Sequence, residues 1–180
     1  MKELKKKLII DNGFRKIFQT FFEKDGENGS VITMENSKNI DSACILPLTK
    51  NKEIIYLNEY RFGLGEFQFG IPAGALENQE KAMECAKREL MEETGYNAKK
   101  IIYLGKYNHN NYINGKIYLF VGIDCEEVKK QNLQDLEDIQ VLKTSIENFE
   151  QMIDNNEIFC PWTEVAFTRA KKLTNNFTSF

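Results

Sequence analysis

The sequence predicts an α/β protein, a single domain in which a mixed β-sheet carries helices on its faces. Three observations predict it. Short runs rich in β-branched and aromatic residues, separated by turn signals, dominate the front and middle of the chain. One long segment of helical periodicity, "NQEKAMECAKRELMEET", interrupts them, and two further helical segments follow. The length of 180 residues, 42% of them hydrophobic, suits one domain with a full core.

The elements follow in order. "FRKIFQTFF", from Phe14 to Phe22, has strand composition, "KDGENGS" reads as a turn, and "VITME" returns as a second strand. "ACILPL" and "IIYLNEY" flank "TKNKE" and read as a hairpin. "FQFGI" is a short strand ending at Pro72, after which comes the long helical segment. "IIYLGKY" and "KIYLFVGID" are strands on either side of the polar loop "NHNNYING". "EEVKKQNLQDLED" is a charged loop and "IQVLKT" a further strand. Thr144 and Glu147 have the spacing of a capping box, so a helix is expected over "SIENFEQMID", broken by "NNE". After Pro161, "WTEVAFTRAKKL" forms a last helix; the terminal "TNNFTSF" is expected to fray, with two phenylalanines available to dock.

Composition narrows the function. The net charge is −3, and beyond the opening "KELKKK" the basic residues are scattered, so no basic stripe marks a nucleic-acid groove. No apolar run is long enough to span a membrane, and the basic N-terminal run lacks the apolar stretch of a signal peptide. Cys44, Cys85, Cys125 and Cys160 stand far apart and His109 is the single histidine, which argues against a zinc site and a disulfide framework. A reduced cytoplasmic protein is expected, and any metal in it should be one that prefers oxygen.

The segment Gly74 to Tyr96, "GALENQEKAMECAKRELMEETGY", carries the chemistry. On a helical wheel Glu89, Glu92 and Glu93 share one edge, and Glu93 intrudes on an apolar stripe of Ala82, Met83, Ala86 and Leu90. Like charges four residues apart repel on a helix, and a part-buried carboxylate is costly unless paired or bound to metal. A hard divalent cation relieves both problems. Mg²⁺ prefers carboxylate oxygen and keeps waters that substrate phosphates can replace. Arg88 sits four residues before Glu92 and can hold it. Glu80 points away from the three and reads as structural, tied to its loop or to an arginine. Gly95 fits the left-handed position past a helix end, and Gly74 allows backbone to approach a ligand closely.

Gly74, five residues, Glu80, seven residues, and then "RELMEETGY" resemble the Nudix box, with every fixed position matched. "IIYLNEYRFG" followed by "IPAG", and "DLEDIQVLKTSIENFEQMIDNNEI" further on, are similar to the ADP-ribose pyrophosphatase branch of that family. The resemblance implies a Nudix-type α/β/α sandwich over residues 41–180, with residues 1–40 as N-terminal strands of the same domain serving dimerisation or substrate binding. It implies that Glu89, Glu92, Glu93 and Glu137, with the carbonyl of Ala73, hold Mg²⁺, Mn²⁺ being a substitute. It implies that Arg88 and Glu80 brace the box, and that Asp135 stands where a candidate base would be. Arg61 either grips a phosphate bidentately or pairs with Glu59 or Glu66. Gly74 would lie against the substrate, and Phe14, Phe18, Tyr60, Phe62 and Phe69 are candidates to stack on its base.

The reaction implied is hydrolysis of a diphosphate in a small nucleotide, ADP-ribose or a related sugar nucleotide, by a homodimer that uses neither nucleic acid nor membrane. Two positions depart from the branch: Gly70 stands where it often has Glu, and Tyr112 where it often has proline. A tyrosine near the latter place is associated with dinucleoside polyphosphate hydrolases, which form the alternative. A Nudix domain that senses nucleotides without catalysis is the alternative outside enzymology.

Overall fold

The computed structural model describes residues 1–13, 15–36, 41–173 and 177. Phe14, the first of the stacking candidates, lies outside the described residues.

The chain begins with a three-stranded antiparallel meander: β1 (Lys2–Asp11), β2 (Arg15–Lys24) and β3 (Glu27–Asn36). The sequence reading has no strand at β1. Every residue of β1 is exposed, so no alternation of apolar and polar residues announces it, and the backbone ladder to β2 holds it instead. The turn before β3 is also shorter than the sequence suggests. Asp25 and Gly26 take positive φ of 56° and 85°, the two-residue hairpin turn that suits Asp-Gly, and "ENGS" therefore belongs to β3.

A larger sheet follows. It contains β4 (Ser42–Thr49), β5 (Glu53–Arg61), β6 (Glu66–Gly70), β7 (Ala73–Ala75), β8 (Tyr96–Asn97), β9 (Lys100–Asn108), β10 (Lys116–Glu127) and β11 (Ile139–Ser145). The central order is β11-β5-β4-β10-β8, with β6 beside β5, β7 beside β4 and β9 beside β10. The β4–β10 pair is parallel and the other pairs are antiparallel, which makes the sheet mixed.

Side chains alternate along β4, and the two faces acquire separate cores. Ala43 and Ile45 meet Cys85, Ala86 and Leu90 of helix α1 (Ala82–Thr94). Cys44, Leu46 and Leu48 face the opposite side, with Phe149 of α2 (Ile146–Asp154) and Ala166, Phe167 and Ala170 of α3 (Pro161–Leu173). The result is the expected α/β/α sandwich.

Three boundaries differ from expectation. α1 starts at Ala82 rather than near Asn78, because Glu77 to Glu80 close a turn in which the Glu77 N–H donates to the Glu80 carboxylate at 2.9 Å. α2 is capped by Ser145, not Thr144: the Ser145 hydroxyl accepts the Asn148 N–H at 3.2 Å. β10 runs on through Glu127, so the charged loop is confined to residues 128–138. Near the C-terminus Phe177 does dock, buried against Phe167, and its carbonyl accepts the Lys52 ammonium at 3.0 Å; Phe180 lies outside the described residues.

Candidate active site

α1 brings its acidic edge against the turn that leads into it. Glu89 and Glu93 are 5% and 4% exposed, and Glu92 is half-buried beside them. Arg88 ties this edge to the preceding loop. Its Nε and Nη2 donate to the two oxygens of Glu80 at 2.9 and 3.1 Å, its Nη1 to Glu89 at 2.6 Å and Glu92 at 3.1 Å, and Nη2 also to the Ala75 carbonyl at 3.1 Å. Both roles read for Arg88 therefore coexist: it holds Glu92 and it binds Glu80. The Arg88 hydrogen bond holds the Glu80 carboxyl below its ordinary range.

One guanidinium faces three carboxylates here, so negative charge is left in excess. Burial pushes Glu89 up to about 7 in spite of Arg88. Burial raises Glu93 as well, and the nearby charges of Glu89 and Glu59 raise it further.

Two glycines fix the backbone at each end of this edge. A Cβ at Gly74 would lie 1.8 Å from Glu89 Oε1, so only glycine lets the turn close on the carboxylate. Gly95 takes φ 78° after α1, and a Cβ there would lie 2.0 Å from the Lys129 carbonyl. Ala73, between turn and strand, donates its N–H to Glu93 Oε2 at 3.0 Å. The Ile45 N–H reaches past it to the Pro72 carbonyl at 3.0 Å, which makes Cys44–Ala73 a non-hydrogen-bonded pair. Ala73 thus turns both N–H and C=O away from β4, towards the side on which Glu93 lies.

The loop 128–138 adds a fourth carboxylate. The charge of Glu137 acts on Glu59, Glu89 and Glu93, and its own side chain accepts the Gln134 N–H at 2.8 Å. Asp135 is exposed on the same loop. Gln131 was missed by the sequence reading. Its amide donates to the carbonyls of Glu93 at 2.6 Å and Ile139 at 3.2 Å, and the Asn132 N–H donates to the Glu92 carbonyl at 2.9 Å. Contacts from an amide to backbone leave no trace in a residue pattern.

Arg61 takes the second of its two readings, with Glu59 as partner. Its Nη1 and Nη2 meet the two oxygens of Glu59 at 2.9 and 2.8 Å. Glu59 itself gave no signal beyond that pairing. Yet it sits at the end of β5, raised by burial against the pull of Arg61, and its charge reaches Glu93.

Among the described residues no three His, Cys, Asp or Glu side chains are arranged as a ready-made metal cage. The donor chemistry nevertheless fits a hard cation. Glu89, Glu92, Glu93, Glu137 and the Ala73 carbonyl offer oxygen alone, and two of the carboxylates are buried with less positive charge than they need.

Two clefts open on either side of Ala73. One, of 510 Å³, is walled by Arg61, Phe62, Phe69, Phe159 and Trp162. The other, of 270 Å³, has Arg15, Glu35, Ser42, Gly74 and His109 on its walls. Of the stacking candidates, Phe62 and Phe69 face the first cleft. Tyr60 packs edge-on against Phe62 and Phe67, and Phe18 lies under the Lys6 ammonium. Phe159 and Trp162 are not among the stacking candidates of the sequence; Trp162 lies in α3 and Phe159 just before it.

Comparison with known proteins agrees with this fold. The family model of the NUDIX domain matches residues 38–174. An ADP-ribose pyrophosphatase of Bacillus subtilis (strain 168) is 28% identical over 134 residues, covering 73% of this chain and 72% of that protein. The ADP compounds hydrolase NudE of Escherichia coli (strain K12) is 29% identical over 87 residues, 48% of this chain and 46% of its own length. A crystal structure of an ADP compounds hydrolase superposes with a TM-score of 0.85 at 16% identity, covering 99% of this chain and 96% of the other, and so shares the fold.

Proposed function

The chain belongs to the Nudix family as a pyrophosphohydrolase, and from that premise we propose that it cleaves the diphosphate of ADP-ribose with Mg²⁺, releasing AMP and ribose 5-phosphate. One observation supports this above the others: buried carboxylates in excess of their cations are gathered where the Ala73–Gly74 backbone turns past them. Glu89, Glu92, Glu93, Glu137 and the Ala73 carbonyl would hold the metal, which when bound neutralises diphosphate oxygens and lowers the pKa of a water.

The chain's own groups do the rest. Arg88, fixed by Glu80, keeps the Glu89 and Glu92 carboxylates in place. The Ala73 N–H orients Glu93. With Glu137 given to the metal, Asp135, exposed on the same 128–138 loop, is the carboxylate that takes the proton of the attacking water. The Arg61 guanidinium forms part of the wall of the larger cleft, where a phosphate can meet it beside Glu59.

A second reading has its own observation. Tyr112, 60% exposed, is on the wall of a cleft of 630 Å³ between the N-terminal sheet and residues 108–115, where a second base of a dinucleoside polyphosphate would find a stacking surface. A substrate panel with Mg²⁺ separates the readings. ADP-ribose should show the highest kcat/KM against ADP-glucose, diadenosine tetraphosphate and NADH, with AMP and ribose 5-phosphate formed in equal amounts. Preference for diadenosine tetraphosphate would install the second reading. Binding without turnover of any of them would point to a nucleotide sensor.

A further inference from the structure

Resting on the diphosphate-hydrolase reading, we propose that the Ser42–His109 pair reads the hydroxylated group carried beyond the diphosphate, in a pocket distinct from the one that takes the nucleoside. The two clefts beside Ala73 share Cys44, Ala73 and Ile117 and no other wall residue. They flank Ala73, whose N–H donates to Glu93 Oε2 at 3.0 Å, so a diphosphate lying over Ala73 would have one arm on each side of it and the carboxylate cluster beside it. The arms differ in chemistry. The larger is apolar and aromatic with one guanidinium, which suits a purine and the phosphate next to it. The smaller, 270 Å³, presents a hydroxyl, an imidazole and the main chain of Gly74 and Ala75 among the apolar side chains of Met34, Ile113 and Ile117, with Arg15 and a Glu35 carboxylate that Lys6 already holds at 2.6 Å also on its walls. Apolar walls with a hydroxyl and an imidazole among them suit a small polyol, which offers both C–H faces and hydroxyls.

The pair is rigidly held. Ser42 lies opposite Ala75 in the β4–β7 ladder and opposite Ile117 in the β4–β10 ladder, so its hydroxyl is set on a central strand. His109 follows the end of β9, and its N–H donates to the Gly115 carbonyl at 3.1 Å. Its Nε2 lies 3.2 Å from Ser42 Oγ, and its ring stands edge-on to Trp162 with centroids 6.3 Å apart. Trp162 is a wall of the larger arm, so one histidine lines the smaller arm and packs against a wall of the larger. Burial holds the imidazole below its ordinary range against the opposing pull of Asp41. A neutral ring beside a hydroxyl offers both a donor and an acceptor, as adjacent sugar hydroxyls require.

The test compares kcat/KM for ADP-ribose with that for the methyl ester of ADP, which keeps adenosine and diphosphate but carries no sugar beyond them. In S42A and H109F the ratio of the two should fall about tenfold, through a higher KM for ADP-ribose. H109Q, whose amide keeps a donor and an acceptor, should lose less than about threefold. A ratio unmoved in both S42A and H109F, with wild type active on both probes, would overturn the subsite alone, as would an equal loss on both probes. A wild type inactive on both probes with Mg²⁺ would overturn the diphosphate reading and this one with it.

Discussion

Gly74 has no side chain because Glu89 occupies the place where one would go. Gly74→Ala must therefore push the Ala73–Ala75 turn or the Glu89 carboxylate aside. A displacement on the scale of an ångström costs about 10²-fold in rate at a reacting site, so kcat/KM of G74A should fall by about that much. The pair of Arg88 and Glu80 lends itself to a pH measurement. The Glu80 carboxyl is held below its usual 4.5 by the Arg88 hydrogen bond, so the stability it contributes is present above that value and is lost as pH falls through the lowered one. Wild type should melt above E80Q from neutral pH down to the ordinary carboxylate range, and the gap should close below it; a gap that persists in strong acid would contradict the assignment. At this scale the sequence was legible wherever a contact depends on fixed spacing within one continuous segment, the turn and helix from residue 74 to 95. Gly74, Glu80, Arg88, Glu89, Glu92 and Glu93 are of that kind. Glu59, Gln131, Ser42 and His109 reach the site through strand ends and loops that only the sheet brings together, and no spacing encodes them.

Among the elements, α1 and the loop 128–138 act as one unit. The loop's N–H groups at Val128 and Lys129 donate to the Gly95 carbonyl, Asn132 caps the Glu92 carbonyl, and Gln131 spans from Glu93 to Ile139 across both ends of the segment that carries Glu137. Gln131→Ala should therefore raise the Mg²⁺ concentration needed for half-maximal rate and lower kcat/KM by about tenfold, while Tm moves by a few degrees. A wild-type Mg²⁺ requirement in Q131A would show that the loop is held by other means. Element boundaries were less legible than element types. β1 has no buried face to mark it, the Glu77–Glu80 turn delays α1, and Ser145 takes the cap that the spacing of Thr144 and Glu147 suggested.

The whole molecule sets a long carboxylate-bearing sandwich beside a small sheet with little core of its own. β1 is an edge strand, and Leu4, Leu8, Ile9 and Ile10 on it are exposed. An apolar edge of this kind invites pairing with another chain, and a second copy is the partner we propose. Sedimentation should give a dimer for wild type and a monomer for the double substitution L8E/I10E; two monomers would refute the assignment. The layered architecture was legible because alternation along β4 and the period of α1 are strong local patterns. The two-armed cleft was not, since its walls come from the first strands, the 109–115 loop and α3 together. The account as a whole rests on the buried Glu93 acting in metal-dependent hydrolysis. Release of AMP from ADP-ribose in the presence of Mg²⁺, measured for wild type and Glu93→Gln, tests it most directly. Wild type should turn over and stop when the metal is chelated, and the variant should be slower by about 10³-fold, the equivalent of several kcal/mol of lost transition-state stabilisation. An E93Q enzyme that releases AMP at the wild-type rate would contradict the account.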